Sequence, residues 1–329
     1  MDNQTTNDEQ ASRRYVFGPV PSRRLGRSLG LDLVPFKTCT YDCVYCQLGP
    51  TTCKTAARRE YVPCDAVLRE LESVLTLGPR PNYITLAGSG EPTLFRPLDV
   101  LIAGIKQVTD VPILILTNGS LLWDPQVRAE LAQADVVMPS LDAGDDKLFQ
   151  AVNRPCPEVT FERLLEGLIT FRREFSRAYW LEVMLLAGLT DQPDAIQALA
   201  ALTREIQPDR IYLNTAVRPP AEGWVKPASA AALEMCAAAM GPKCEIIADY
   251  TSTNVAEELA GSEEQVLALL RRRPCRLEDL STGLGMHRNE VLKYLTHLLQ
   301  TGEVCGSKVG QETYYSAASA SDGQRGSEG

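Results

Sequence analysis

The most informative stretch of this chain is residues 37–46, which read KTCTYDCVYC. Its three cysteines, Cys39, Cys43 and Cys46, follow the spacing C-x3-C-x2-C, with a tyrosine directly before the last one. Three thiolates this close together can bind three irons of one [4Fe–4S] cluster and leave the fourth iron without a protein ligand. An open position is typical of catalytic metal sites, because a small molecule can bind there. The spacing therefore predicts one catalytic iron–sulfur cluster.

A structural zinc site is the alternative interpretation of the same cysteines. Such a site needs four ligands, and Cys53 or Cys64 could supply the fourth. The chain has no second C-x2-C pair, and its two histidines, His287 and His297, lie far away near the C-terminus. Zinc sites of this kind usually combine C-x2-C with one of those partners. The spacing favours the cluster over zinc.

Composition indicates a globular protein of the cytoplasm. The chain has 329 residues, of which 44% are hydrophobic and 23% charged, enough for one domain of barrel size and a small second one. Its net charge of −9 is not typical of a general nucleic-acid binder. Ten unevenly spaced cysteines, a polar N-terminus and the lack of an apolar run of about 20 residues indicate neither secretion nor a membrane span. We expect a reducing compartment, in which a thiolate-bound cluster survives.

The apolar pattern divides the chain into five segments. Residues 1–14 and 317–329 are polar and are predicted to be disordered. Residues 15–250 carry the alternation of strand-like and helix-like runs that is typical of a parallel α/β core. Residues 251–261 are expected to form a linker to a smaller unit at 262–316.

Six β/α units fit an open, partial (β/α)6 barrel of the TIM type better than a closed barrel of eight. The expected strands are Leu29–Val34, Tyr83–Ala87, Ile113–Thr117, Val136–Leu141, Trp180–Ala187 and Arg210–Asn214, and the clearest helices are Cys64–Leu77, Leu98–Val108, Phe161–Phe175 and Asp194–Ile206.

Polar residues and glycines follow these strands at the point where each one ends. They are Gly88–Thr93, Thr117–Gly119, Ser140–Asp142, Gly188–Asp191 and Asn214. In β/α barrels the active site lies at the carboxyl ends of the strands, in the loops that follow them. Glycine, asparagine and aspartate also form ordinary turns, which is the simpler interpretation of any single loop. Because the cysteine loop follows the first strand, the whole set predicts a site at one mouth of the barrel.

With these features, residues 15–250 resemble the core of the radical S-adenosylmethionine (SAM) enzymes. The resemblance implies two cofactors, one [4Fe–4S] cluster and SAM, and an outside reductant such as flavodoxin or ferredoxin. It further implies that SAM is cleaved reductively to a 5′-deoxyadenosyl radical, which abstracts hydrogen from an RNA base or from a protein or peptide. The radical chemistry belongs to the cofactor, and the protein positions the reactants.

The resemblance also implies roles for individual residues, with Cys39, Cys43 and Cys46 as cluster ligands. The loop Gly88–Thr93 corresponds to the one that binds the amino group of SAM, and an ammonium group suits carbonyl and carboxylate acceptors. Its members are Gly88, Ser89, Gly90, Glu91, Pro92 and Thr93. The residues expected beside the nucleoside are Tyr45, Asn118, Ser140, Asp142 and Gly188.

Further sequence pieces resemble the branch that contains wyosine-type tRNA base synthetases. They are Phe17–Gly30, Pro35–Cys39, Asn153–Pro155 and Arg218–Glu222. Members of that branch carry extra cysteines upstream of the motif for a second cluster, whereas this chain has no cysteine before Cys39. One cluster is therefore expected, and the resemblance identifies the branch rather than the substrate, which stays an RNA base or a protein or peptide.

Four arginines are candidates for contact with an anionic group of the substrate: Arg23, Arg24, Arg27 and Arg218. A guanidinium group binds phosphate or carboxylate with two parallel hydrogen bonds. The alternative is that these side chains are solvated or paired with nearby carboxylates.

The C-terminal unit is predicted to resemble a winged helix. Its helices are expected at Glu263–Arg271, Leu277–Thr282 and His287–Gln300, and its hairpin around the loop Gly306–Gln311. Such units often bind DNA, but here 7 Lys and Arg residues stand against 7 Asp and Glu residues in 262–316. DNA binding is therefore not favoured. The alternative function is an iron–sulfur regulator that responds to redox state or SAM and acts through this unit.

Overall fold

The computed structural model describes residues 15–22, 25–77, 80–217, 220–247, 263–270, 274–284, 286–309 and 312–318. The chain divides into two compact units, residues 1–249 and 250–329. The segments 1–14, 251–261 and 319–329, for which the sequence predicts disorder or a linker, lie outside the described residues.

The first unit contains one large sheet of eight strands and a separate two-stranded ribbon. The strands of the sheet are β1 Val16–Ser22, β2 Gly26–Leu31, β5 Tyr83–Leu86, β6 Ile113–Thr117, β7 Val136–Pro139, β8 Ala178–Leu185, β9 Arg210–Thr215 and β10 Cys244–Ile246, and the ribbon contains β3 Thr38–Cys39 and β4 Cys53–Lys54. The order in the sheet is β1-β2-β5-β6-β7-β8-β9-β10, and all neighbouring strands pair in parallel except β1, which is antiparallel to β2.

Helices fill the connections between the parallel strands. They are α1 Cys64–Leu77, α2 Leu98–Val108, α3 Pro125–Leu131, α4 Asp146–Val152, α5 Phe161–Glu174, α6 Pro193–Ile206 and α7 Ala230–Met240, with a short 3₁₀ turn at Pro92–Leu94. Several begin at a residue whose side chain accepts a backbone N–H of the first turn, as Asp124, Asp145, Thr160 and Ser229 do.

The two faces of the sheet bury different residues. Alternate residues of β6, such as Ile113 and Ile115, pack into the large core that includes the helices. Leu114, between them, belongs to a smaller cluster with Trp180 and Tyr212, whose rings meet edge to face at 5.7 Å. Because apolar side chains occupy both faces of the sheet, the polar groups of a site are expected in the loops at the strand ends.

The parallel α/β architecture that the sequence predicts is confirmed, and the sheet has two more strands than expected. The edge strand β1 reads VFGPVPS, and its glycine and prolines hide the strand pattern. The opposite edge strand, β10, has three residues and is too short to recognise. The first predicted strand, Leu29–Val34, is found at Gly26–Leu31, and Leu33 and Val34 are buried without strand pairing.

The second unit has its own small core, which includes Val266, Leu280, Leu295 and Leu298. Residues 263–270 are helical, and helices α8 Leu277–Leu284 and α9 Arg288–Gln300 precede a hairpin of β11 Val304–Val309 and β12 Glu312–Ala317.

Two predicted boundaries in this unit were wrong. Strand β11 continues to Val309, so most of the expected loop Gly306–Gln311 is strand, because Gly306 pairs with Tyr315 in the ladder. Helix α8 continues to Leu284, whereas the predicted helix ends at Thr282. Within the described part of the chain, no helix combines the length and apolar character that a membrane crossing requires.

Candidate functional site

The cysteine loop follows strand β2 at its carboxyl end. Its first cysteine, Cys39, lies in β3, which pairs in parallel with β4 so that Cys39 faces Lys54. The backbone then turns tightly, and the N–H of Cys46 donates to the carbonyl of Cys43 at 3.1 Å. All three predicted ligands, Cys39, Cys43 and Cys46, are partly buried and form no disulfide.

One side of this loop is bound by the loop Gly88–Thr93, which follows β5. The N–H of Lys37 donates to the carbonyl of Ser89 at 2.7 Å, and the N–H of Glu91 donates to the carbonyl of Thr38 at 3.2 Å. The two predicted cofactor loops are therefore joined by backbone hydrogen bonds.

The other side is bound by segments from the second half of the first unit. Val44 donates to the carbonyl of Val152 at 2.9 Å and accepts from the N–H of Glu222 at 3.0 Å. The N–H of Cys156 donates to the carbonyl of Thr40 at 2.8 Å. Contacts from both halves of the barrel thus fix the backbone of the cysteine loop.

Glu91 connects the loop Gly88–Thr93 to the end of β6 from a buried position. Its Oε1 accepts from the N–H and hydroxyl of Thr93, at 3.0 and 2.6 Å, and from the hydroxyl of Thr117 at 2.6 Å. Its Oε2 accepts from the N–H of Asn118 at 2.7 Å. Burial raises the pKa of this carboxyl, while the hydrogen bonds lower it. The hydrogen bonds of Glu91 and Thr93 thus hold the loop Gly88–Thr93 in place.

Asp32 holds Ser89 in the same loop. Its Oδ1 accepts from the backbone N–H of Ser89 at 2.9 Å, and its Oδ2 accepts from the hydroxyl at 2.5 Å. Both residues are 3% exposed. Asp32 was not among the predicted site residues, although a carboxylate inside the apolar run Leu29–Val34 was the available signal.

Each predicted ligand thiol has a side-chain nitrogen beside it. The Nδ2 of Asn118 lies 3.6 Å from the Sγ of Cys39, and the Nδ2 of Asn153 lies 3.5 Å from the Sγ of Cys43. The Nζ of Lys37 lies 3.1 Å from the Sγ of Cys46. Of the three donors, only Asn118 had been predicted as a site residue.

Asp142 links the cysteine loop to the fourth and fifth predicted strands. Its Oδ2 accepts from the hydroxyl of Tyr45 at 2.5 Å and from the Nδ2 of Asn153 at 2.8 Å. Its Oδ1 accepts from the N–H of Met184 at 3.0 Å. Burial raises the pKa of Asp142 to about 6. The structure therefore brings together Tyr45 and Asp142, as the sequence predicts of residues at one mouth.

The donor set fits an anionic, sulfur-rich group. Burial raises the pKa of Cys39 to about 12 and that of Cys43 well above its ordinary value, so metal binding there must displace protons. The hydroxyl of Tyr41 is buried and has no hydrogen-bond partner among the described residues. Thiols with nitrogen donors and an additional unused hydroxyl are suited to a cluster whose sulfurs accept hydrogen bonds.

The zinc alternative gains no support from the geometry. Within the described ranges, no three side chains of His, Cys, Asp or Glu are grouped so that they could hold a single metal ion. Cys53 is exposed on β4, and Cys64 is buried at the first residue of α1.

Two further predicted cofactor residues of the rim, Gly188 and Ser140, form hydrogen bonds through their backbone N–H groups. Gly188 is exposed in its own turn, where its N–H donates to Asp191 Oδ1 at 2.8 Å. Ser140 is partly buried and joins the site through its backbone, because its N–H donates to the carbonyl of Thr117 at 3.1 Å.

The expectation that Arg27 lies near the mouth is not supported. Arg27 is near the start of β2, and its N–H donates to the Oδ1 of Asn82 at 2.8 Å, directly before β5. The start of a parallel strand is at the opposite end of the sheet from its following loop, and the remainder of β2 spans about 13 Å. Arg23, Arg24 and Arg218 lie outside the described residues.

Comparison with known proteins gives one family and several relatives. Residues 33–200 match the family model described as "Radical SAM superfamily". A Helicobacter pylori "UPF0026 protein" is 33% identical over 92% of this chain and 97% of its own length. A Brachyspira hyodysenteriae protein named "GTPase Obg" is 37% identical over 92% of this chain, which spans only 45% of that protein.

Among solved structures, a radical SAM methyltransferase from Sphaerobacter thermophilus superposes with a TM-score of 0.51. The match covers 67% of this chain and 66% of that one at 15% identity. At that identity the likeness concerns the fold.

Proposed function

This chain belongs to the radical SAM superfamily, and on that premise we propose that it cleaves SAM reductively at a [4Fe–4S] cluster bound by Cys39, Cys43 and Cys46. The proposed product is a radical that abstracts hydrogen from an RNA base. Enzymes of this superfamily use both cofactors, and the proposed compartment is the reducing cytoplasm.

One observation carries the proposal, namely the direct packing of the cysteine loop on the loop Gly88–Thr93. Two backbone hydrogen bonds join them, from Lys37 to Ser89 and from Glu91 to Thr38. A cluster bound by the first loop and a SAM methionine group bound by the second would therefore be neighbours. A plain redox sensor has no use for that juxtaposition.

The residues of the chain have positioning roles in this scheme. When bound, the reduced cluster supplies the electron that cleaves SAM, and the cleavage supplies the 5′-deoxyadenosyl radical. Carbonyls of Gly88–Thr93 are proposed to accept the SAM ammonium, while Glu91 and Thr93 hold that loop through their buried hydrogen bonds. Tyr45, Asn118, Ser140, Asp142 and Gly188 are proposed to surround the nucleoside.

An RNA base is the favoured substrate because of the resemblance to wyosine-type tRNA base synthetases in Phe17–Gly30 and Pro35–Cys39. The regulator alternative is less favoured. In the C-terminal unit, Arg288 pairs with Glu278 at 2.5 Å, and Arg276 pairs with Asp279 at 3.0 Å. Cations that are already paired attract DNA phosphates less strongly.

The test is to measure 5′-deoxyadenosine from anaerobically reconstituted protein supplied with SAM and dithionite, alone, with a tRNA pool and with a peptide pool. The blank is the triple variant Cys39→Ala, Cys43→Ala and Cys46→Ala. The matched control is Cys53→Ala, which removes an exposed cysteine of the adjacent strand and is expected to keep iron and product at wild-type levels.

Product that rises with tRNA supports the proposal in full. If the amount of 5′-deoxyadenosine is unchanged by tRNA but increases with a peptide pool, the proposed SAM cleavage stands and the proposed RNA substrate is wrong. If the protein holds a complete cluster and gives no product above the blank, the proposal that it is an enzyme is wrong and the regulator alternative is favoured.

A further inference from the structure

Lys37 places a cation in the buried wall of the cysteine loop. The residue is 3% exposed, and its Nζ lies 3.1 Å from the Sγ of Cys46. Its backbone is fixed on both sides, because its N–H donates to Ser89 and its carbonyl accepts from Thr52 and Cys53 at 3.2 and 3.1 Å. The side chain therefore has little freedom to place its ammonium elsewhere.

This ammonium has no carboxylate partner in the part of the chain that the structure describes. Among the described residues, no Asp or Glu oxygen lies within 4.0 Å of the Nζ of Lys37. A buried charge is strongly unfavourable unless an opposite charge accompanies it. The neighbouring group that can become anionic is the Cys46 thiol, once it binds metal as a thiolate.

The other two thiols have neutral donors. Asn118 and Asn153 each present an amide nitrogen to a cysteine sulfur, whereas Lys37 presents a full charge to the third. Reduction adds one negative charge to a cluster, so a fixed cation beside it favours the reduced state. Net charge and hydrogen bonds to sulfur are among the factors that set cluster potentials.

We propose that Lys37 is a positioning residue that holds the Cys46 thiolate and raises the midpoint potential of the bound cluster. The inference rests on the proposed function, since it requires the cluster at Cys39, Cys43 and Cys46. The step concerned is the transfer of one electron from a low-potential donor to the oxidised cluster. No bond forms or breaks at Lys37.

The experiment is a redox titration of the reconstituted protein, followed by electron paramagnetic resonance without SAM or substrate. Lys37→Met removes the charge and keeps the length, Lys37→Gln keeps an N–H donor without charge, and Lys37→Arg keeps the charge. The control Lys54→Met removes an exposed lysine that faces Cys39 in the ribbon. Water screens that exposed charge, so the control is expected to match the wild type.

For Lys37→Met we expect the equilibrium constant for reduction to fall at least tenfold, a midpoint more negative by about 59 mV. Lys37→Gln should show a similar fall, and Lys37→Arg should stay closer to the wild type. Iron and sulfide content, measured on each sample, shows whether the cluster is complete.

An unchanged midpoint in a fully loaded Lys37→Met or Lys37→Gln variant overturns the proposal. If Lys37→Met loads no cluster, the Lys37→Gln midpoint decides. Loss of the cluster from all three Lys37 variants, Arg included, assigns the residue a purely structural role and also overturns it. A wild-type protein that binds no [4Fe–4S] cluster is a separate result, because it refutes the proposed function itself.

Discussion

Gly90 packs against the carbonyl oxygen of Thr38 so closely that a Cβ on Gly90 would stand 1.7 Å from that oxygen. The atom that such a Cβ would meet belongs to the backbone of the cysteine loop, directly before Cys39. The N–H of Glu91 donates to the same oxygen at 3.2 Å. The distance between the proposed cluster loop and the proposed SAM loop therefore depends on the missing side chain.

Gly90→Ala is expected to separate the two loops. A side chain of any rotamer leaves the Cβ in place, so the backbone of one loop has to move. We expect iron incorporation to fall at least tenfold, measured as iron and sulfide per chain after reconstitution. Gly223→Ala is the matched control, since a Cβ at exposed Gly223 meets nothing within 4 Å. Full cluster content in Gly90→Ala contradicts the prediction.

Glu91→Gln is expected to destabilise the first unit by about 1–3 kcal/mol, because a buried donor is left facing another donor. If Oε1 keeps its three partners at Thr93 and Thr117, the new amide NH2 faces the N–H of Asn118. Urea unfolding of the metal-free protein measures the change. Glu60→Gln provides the control, since Glu60 is exposed and accepts only one N–H, from Cys64. Equal losses in the two variants would contradict a special role of Glu91.

The motif and the strand pattern predicted the fold and the cysteine loop, because both are local features of the sequence. The hydrogen-bond network between the loops was not predictable to the same degree. Asp32 and Ser89 are 57 residues apart, and Asn153 and Cys43 are 110 residues apart. Strand register and the crossover connections decide which polar side chains meet, and neither can be read from the pattern of a single sequence.

Asp142 should make stability depend on pH. Its pKa is raised from 3.8 to about 6 because burial disfavours the carboxylate, so the folded state binds the proton more tightly than the unfolded state. This contribution is fully present below pH 4 and is lost as the pH rises through 6. A shift of two pKa units corresponds to about 3 kcal/mol.

Asp142→Asn removes that dependence. We expect the free energy of unfolding of the wild type, minus that of the variant, to fall by about 2 kcal/mol between pH 4.5 and 7.5, because at pH 4.5 the contribution is already partly lost. Urea titrations of both metal-free proteins across that range supply the measurement. A difference that stays constant with pH would contradict the raised pKa.

Arg27→Ala should leave catalysis unchanged within about twofold, since the contacts of Arg27 lie near Arg80 and Asn82 at the start of the parallel strands. Its backbone bonds remain, and a side-chain contact at an exposed site contributes little. The measurement is 5′-deoxyadenosine formation with SAM and dithionite. A tenfold loss at unchanged cluster content would restore Arg27 as a substrate contact.

The positional error at Arg27 has a simple cause. Arg27 precedes the cysteine motif closely in sequence, and that closeness suggested closeness in space. Arg27 lies near the start of strand β2, however, and the strand carries the chain from one end of the sheet to the other. Distance along the chain is a poor guide to position whenever a strand intervenes.

The backbone bond from Glu222 to Val44 has a consequence for how the protein is made. The cysteine loop is synthesised early, yet the segment that completes its support arrives about 180 residues later, since synthesis proceeds from the N-terminus at roughly 5–20 residues per second. During that interval the three thiols lack the supporting segment around Glu222, so they are exposed to oxidation and to binding of the wrong metal. We therefore expect iron and sulfide to be inserted correctly only after the first unit has been translated and the bond from Glu222 to Val44 has formed.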